Sequence, residues 1–251
     1  MDPLHVATLN IRNLADRWSE RINLLLADMN ALQPDLLGLQ EVVYPMQQDR
    51  LIGAAGEGRY GVSRAWAGRP EYGNSLLVRE PLVGRGVERI DLGRNRAAHR
   101  ALFVLPGGSS VLMVVTHLHH LGPEVAVRDE QATAILAWLE TGPVADVTIL
   151  LGDFNADPDE PAPARLRAAG FRSAYAEANG HEPAVTWPSG LQAPAMDTDG
   201  DPECLDYIWL RGTVRVAAAR LAFARPDPTE PTPSPSGHPG ISADPAIGEP
   251  R

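Results

Sequence analysis

The chain contains no lysine; all 22 of its basic residues are arginine. That bias carries no functional weight by itself, but 32 acidic residues set against it leave a formal charge of -10 and a pI near 5.1. Such a balance argues against a dedicated, electrostatically driven nucleic-acid binder. It leaves room for a small phosphorylated substrate held by a metal ion. There is a single cysteine, Cys204, so no internal disulfide can form. With no Cys or His at ligand spacing around it, Cys204 reads as a core filler. No apolar run approaches the ~20 residues that a bilayer demands. The start has Asp2 where a signal peptide carries basic charge, and no apolar stretch follows it, so a cytoplasmic protein is expected.

What is present is ordinary for a globular chain: 251 residues, 44% hydrophobic and 22% charged. No break in composition precedes residue 225. One domain over 1–245 is therefore expected, with a Pro-rich, exposed loop at 225–237 and a short tail at 246–251.

The most informative stretch is ILLGDFNADP, from Ile149 to Pro158. An apolar run from Val147 stops at Gly152 and delivers Asp153 and Asn155, which alternate with Phe154. By itself that is a strand end before an Asx turn. Other apolar runs, however, end the same way. Leu4–Leu9 ends on Asn10, with Asn13 in the loop beyond it, and Asp35–Leu39 hands over Gln40 and Glu41. Between them Arg17–Leu32 carries apolar residues at helical period and is closed by Pro34.

Tyr60–Ala65, Asn74–Val78, Val83–Ile90 and Ala98–Leu105 have the spacing of meandering antiparallel strands. Arg96 and Arg100, near the last of them, read as solvated surface residues, although either can meet a phosphate. Val111–Val115 leads into Thr116-His117-Leu118-His119-His120. On an extended chain His117 and His119 share one side and His120 takes the other. Three His in four positions suit a transition-metal site, plain hydrogen-bonded residues, or a general acid or phosphate donor.

Pro123–Leu139 is predicted helical, with Val127, Ala134, Ile135 and Trp138 inward, and a short helix is expected near Ala162–Ala169. The acidic DTDGDPE, Asp197–Glu203, lacks the glycine and glutamate spacing of a calcium loop and reads as a turn. Leu205–Leu210 is a strand with Asp206 near its start, expected to pair with Val214–Phe223 across an Arg-Gly turn. By composition alone His238, in Ser236-Gly237-His238, belongs to a disordered tail, although Gly240–Ala243 can form one last strand.

The ordered set TLN, LQE, THLHH, GDFN, LDYI and SGH resembles the endonuclease/exonuclease/phosphatase superfamily, the metal-dependent phosphoesterases that include deoxyribonuclease-I-like nucleases. The resemblance runs from Leu4 to about Ala243. It implies an α/β fold, a four-layered α/β sandwich of two mixed β-sheets face to face with helices outside. It further implies that Asn10 and Glu41, with Asp153, hold Mg²⁺ or Mn²⁺, and that Asp153 orients or deprotonates the attacking water. Asn155 would steady the transition state, Asp206 would hold His238 on the phosphate, and His117 would donate to a phosphoryl oxygen or leaving group. The substrate would be a phosphorylated small molecule, a lipid headgroup or nucleic acid. One position departs from the family: Gly237 stands where its last motif has Asp. A nuclease, and a binding protein weakened in catalysis by Gly237, are the alternatives.

Overall fold

The computed structural model describes residues 4–43, 47, 50, 60–65, 73–191, 201–225 and 234–248. Residues 197–200 of the acidic turn, 226–233 of the Pro-rich stretch and 249–251 of the tail lie outside the described residues.

Two six-stranded sheets lie face to face. The first has the order β11 (Val214–Ala222), β12 (Gly240–Ile247), β1 (Val6–Asn10), β2 (Leu36–Val42), β4 (Gly73–Arg79), β3 (Tyr60–Ala65). The second has the order β5 (Arg85–Gly93), β6 (Arg96–Val104), β7 (Ser110–His117), β8 (Val147–Asp153), β10 (Asp206–Gly212), β9 (Arg172–Ser173). Near the middle of each sheet sits a parallel pair, β1–β2 and β7–β8, and the remaining pairings are antiparallel. The crossover of the first parallel pair is α1 (Trp18–Leu32) and that of the second is α2 (Val125–Glu140), the βαβ unit that parallel strands require. This repeated unit makes the two halves alike.

Three apolar layers hold the four structural layers together. Val6, Leu36 and Leu76 of the first sheet meet Met113, Val115, Ile149 and Leu151 of the second. Leu25 and Met29 of α1 cover the outer face of the first sheet on Ala7, Leu9 and Leu37. Ala132, Ile135 and Leu139 of α2, with Ala162 and Leu166 of α3 (Pro161–Ala168), cover the second. The near-continuous apolar runs of β2 and β8 follow from burial on both faces.

Four expectations are corrected here. The strand from Leu205 does not pair with Val214–Ala222: β10 joins β8 and β9, whereas β11 joins β12 in the other sheet. The chain changes sheets at Gly212, which has φ +116° and where a Cβ would lie 2.2 Å from the Asp146 carbonyl oxygen. The inner face of α2 includes Arg128 and Gln131 in place of Val127 and Ala134, because both polar side chains find hydrogen-bond partners there. The last strand runs to Ile247, past the expected boundary at 245. Ser234 to His238, expected as exposed loop and disordered tail, is buried. A short helix, α4 (Ala174–Asn179), was not foreseen; Ser173 caps it by accepting from Ala176 N–H.

Candidate active site

The C-terminal ends of both parallel pairs open on the same side of the sandwich, where strand ends of an α/β fold commonly present their polar groups. β1 ends on Asn10, β2 carries Glu41, β7 ends on His117 and β8 on Asp153. Two neighbours run the opposite way and bring their starts to the same edge. Asp206 opens β10 directly opposite Asp153, and His238 stands two residues before the start of β12.

Local backbone geometry aims the groups. Gly152 adopts φ +142°, and a Cβ there would lie 1.9 Å from the Thr116 carbonyl oxygen, so only glycine lets β8 close on β7 just before Asp153. Glu41 sits at φ +56° within an irregularity of the β2–β4 register, and Asn155 at φ +48°. Non-glycine residues held in the left-handed region are a strain retained where function demands an orientation.

Asp153 is the hub. Its Oδ2 accepts from Asn10 Nδ2 at 2.9 Å and lies 3.5 Å from His117 Nε2 and 3.9 Å from His238 Nε2. Its Oδ1 accepts from the Asn155 backbone N–H at 2.9 Å. Burial, reinforced by the charge of Asp206, raises its pKa. Burial alone would lower His238, but its 2.9 Å bond to Asp206, with Asp153 and Glu41 nearby, lifts it to about 9, so it is a cation at neutral pH. His117 is the opposite case. Burial, then the charges of Arg96 and His238, hold it well below the usual range. Arg96 donates to its Nδ1 at 2.9 Å, which leaves the ring proton on Nε2, facing Asp153.

Asn10, Glu41, His117, Asp153, Asn155 and His238 line one cavity of about 920 Å³. Asp206 stands behind His238 and does not line it. All seven residues singled out in the sequence thus come together. The three-His reading is corrected: β7 stops at His117 and the chain turns, so His120 joins His117 on Arg96 while His119 is buried against Glu124, 3.0 Å away. Among the described residues the one His/Cys/Asp/Glu group close enough to share an ion is Asp153, Asp206 and His238. Cys204 is buried, as expected, and burial pushes its thiol pKa up.

The description "Endonuclease/Exonuclease/phosphatase family" belongs to the family model that matches residues 7–227. The chain belongs to the endonuclease/exonuclease/phosphatase family. No curated protein is matched by its sequence. Among solved structures it is similar to the human Nocturnin catalytic domain with bound sulfate, at 23% identity and TM-score 0.81 over 98% of this chain and 94% of that one. D. rerio TDP2 complexed with single-strand DNA product superposes at TM-score 0.81 with 18% identity over 97% and 99% of the two chains. A Bacteroides thetaiotaomicron mannosyl-6-phosphatase gives TM-score 0.79 with 16% identity over 97% and 100%. At these identities the likeness is one of fold.

Position 237, where the resemblance implies an Asp before the last His, is Gly in this chain. Gly237 is buried, its carbonyl accepts from Ser189 N–H at 2.8 Å, and Ser236 Oγ donates to the Asn10 carbonyl at 2.5 Å. His238 is therefore held by its neighbours without that carboxylate. Sequence reasoning missed Asn13, which donates to Glu41 Oε2 at 2.8 Å, and misread Arg100 as a solvated surface residue. Arg100 is buried between Glu88 and the ring of Trp138, and Arg96 faces the cavity. A signal existed for Arg96: in an antiparallel β6–β7 pair its position lies beside the THLHH end of β7.

The residues fit a hard divalent cation. Glu41 is buried, its partners are the neutral amides of Asn10 and Asn13, and among the described residues no cationic side chain stands within 4 Å of it. A buried carboxylate so placed calls for a positive partner, and carboxylate oxygen suits Mg²⁺ or Mn²⁺. The Asp153–Asp206–His238 group is less suited, since Asp206 Oδ2 is already occupied by His238.

Proposed function

We propose that this protein hydrolyses a phosphoester bond with the help of a divalent cation, Mg²⁺ or Mn²⁺, held by Glu41 and Asp153 with Asn10 beside them. The observation that carries the reading is the convergence on Asp153 of an amide, two histidines of opposite charge state and a backbone N–H, at the floor of an open cavity. The cation would polarise a phosphoryl oxygen.

The residues supply the rest. Asp153, whose pKa is raised by burial and by the charge of Asp206, orients a water and takes its proton. His238, cationic through Asp206, binds the phosphate as negative charge grows on it. His117 is neutral and carries its proton on Nε2, which makes it a hydrogen-bond donor to a phosphoryl oxygen and not a strong acid. Asn155 spends one amide contact on the Leu118 carbonyl at 3.1 Å, which fixes its head at the mouth.

A phosphatase and a nuclease both remain consistent with the fold, since one similar structure is a mannosyl-6-phosphatase and another holds a single-strand DNA product. The charge of -10 favours a small phosphoester over long duplex DNA, whose sequence-independent binding rests on basic residues neutralising phosphates.

The test is hydrolysis of a generic aryl phosphodiester and its monoester with Mg²⁺, Mn²⁺ or chelator. Cation-dependent turnover that drops by roughly 10³ or more in Asp153→Ala and His238→Ala is expected. Folded protein without turnover under any cation would sink the hydrolase and favour the binding protein. Because His238 is already held in place, Gly237→Asp is expected to bring no gain; a large gain would mark the site as degraded.

A further inference from the structure

The same cavity has a second feature that the chemistry at Asp153 does not use. β5 and β6 are joined by a two-residue turn, Arg94-Asn95, between the paired Gly93 and Arg96. Both turn residues are left-handed, φ +54° and +58°, as a tight hairpin requires, yet neither is glycine. Arg94, Asn95 and Arg96 all line the cavity.

The turn is braced. Gln131, buried on α2, donates to the carbonyls of Leu92 and Gly93 at 3.3 and 3.4 Å, and its Oε1 accepts from His119 N–H at 2.9 Å. One buried amide thus locks the turn to the segment carrying His117 and His120. Arg96 completes the link, donating to Nδ1 of His117 at 2.9 Å and of His120 at 3.2 Å.

The position of this positive group is distinct from the reaction centre. His117 presents Nε2 to Asp153 and Nδ1 to Arg96, so its ring stands between them. A phosphate seated on Asp153 and His238 has that ring between it and the arginine turn. Elsewhere in the lining Asp16 pairs with Arg12 at 2.7 Å and Glu160 with Arg128 at 2.8 Å, while Glu41, Asp153 and Glu203 supply the acidic side of the cavity. Arg94 is held loosely, 3.6 Å from Glu124 with a side chain 61% exposed.

We infer that the Arg94-Asn95-Arg96 turn, with His120, is a second anion subsite, and that the substrate carries a second phosphate beside the scissile one. Guanidinium groups match phosphate oxygens in charge and fork geometry. The inference rests on the hydrolase reading for the word substrate, but the subsite itself does not.

The test is therefore binding as well as turnover. Calorimetric titration in chelator compares fructose 1,6-bisphosphate with fructose 6-phosphate, and the dinucleotide pTpT with TpT, on wild type, Arg94→Gln and Arg96→Gln. The two-phosphate member of at least one pair should bind about tenfold tighter or better, and each variant should reduce that preference to about threefold or less. A preference only in the sugar pair names a small bisphosphate as the source; one only in the dinucleotide pair names a nucleic-acid strand, and both support the subsite. Equal binding within both pairs, or a preference that survives both substitutions, overturns it. Arg94 is exposed, so its variant keeps the test independent of folding. The kcat/KM ratio within each pair should follow the binding ratio with cation present. A binding preference with no hydrolysis of any of the four probes leaves the subsite standing and sinks the hydrolase instead.

Discussion

At the scale of single residues the protein places histidines in opposite charge environments. His238 has a folded-state pKa raised to about 9. Its stabilising pairing with Asp206 is complete below the unfolded value near 6.5 and fades as pH climbs through about 9. In Asp206→Asn the imidazole should lose its proton nearer neutrality. The basic limb of the pH–rate profile should move to lower pH, and kcat should fall by roughly 10²–10⁴. An unmoved basic limb would mean that His238 is not the titrating cation. His99 is the reverse: it is fully buried in β6, both ring nitrogens lack a hydrogen-bond partner among the described residues, and burial pushes it down to about 3. Only the unfolded chain binds that proton between about 6.5 and 3, so stability is lost as pH falls through this window. At pH 5 the loss from this residue is about 2 kcal/mol. Denaturant titrations at pH 7 and pH 5 should show that increment shrink in His99→Phe.

Among the elements, the segment between β1 and α1 is the least regular and the most consequential. Arg12, Asn13, Asp16 and Arg17 all have positive φ, and no side chain caps the helix start. The segment is gathered by Arg21, a buried guanidinium that donates to the carbonyls of Ile11, Arg12, Asn13, Ala15, Asp16 and Pro235. It ties the Asn13 that supports Glu41 to the chain leading into His238. Removing it orphans several buried carbonyls, each costing about 1–3 kcal/mol. Arg21→Leu should therefore cost at least about 3 kcal/mol of stability by denaturant unfolding, and turnover should suffer even where the fold survives. The helical period of α1 is legible in the sequence; the burial of Arg21 is not, because nothing in an amphipathic pattern says that a loop will fold back over a charged position.

For the whole molecule, the cation is the test of how the halves cooperate, since Glu41 comes from one sheet and Asp153 from the other. A ligand that bridges them binds the folded state alone. At a hundred times its dissociation constant Mg²⁺ should add about 2.7 kcal/mol, a rise in Tm of roughly 5–10 °C for a chain of this length. Glu41→Gln should remove that rise. A thermal shift that persists unchanged in the variant would place the cation elsewhere.

The sequence by itself singled out most of the polar residues that gather at this edge of the sandwich. Strands buried on both faces must be apolar, so a polar residue at the end of such a run is conspicuous, and Asn10, Glu41, His117, Asp153, Asn155 and Asp206 all stand out in this way. The helices that lie between those runs follow from the 3.6-residue period in the same way. Tertiary structure decided everything that depends on a partner far along the chain. It placed β11 in the sheet opposite β10, buried His238 against Asp206 despite its Pro-rich approach, and turned His120 toward Arg96 while His119 went inward. It also brought Arg94 and Arg96 to the cavity. Periodicity reports which face of an element meets the core; which distant element covers that face is settled only by three-dimensional packing.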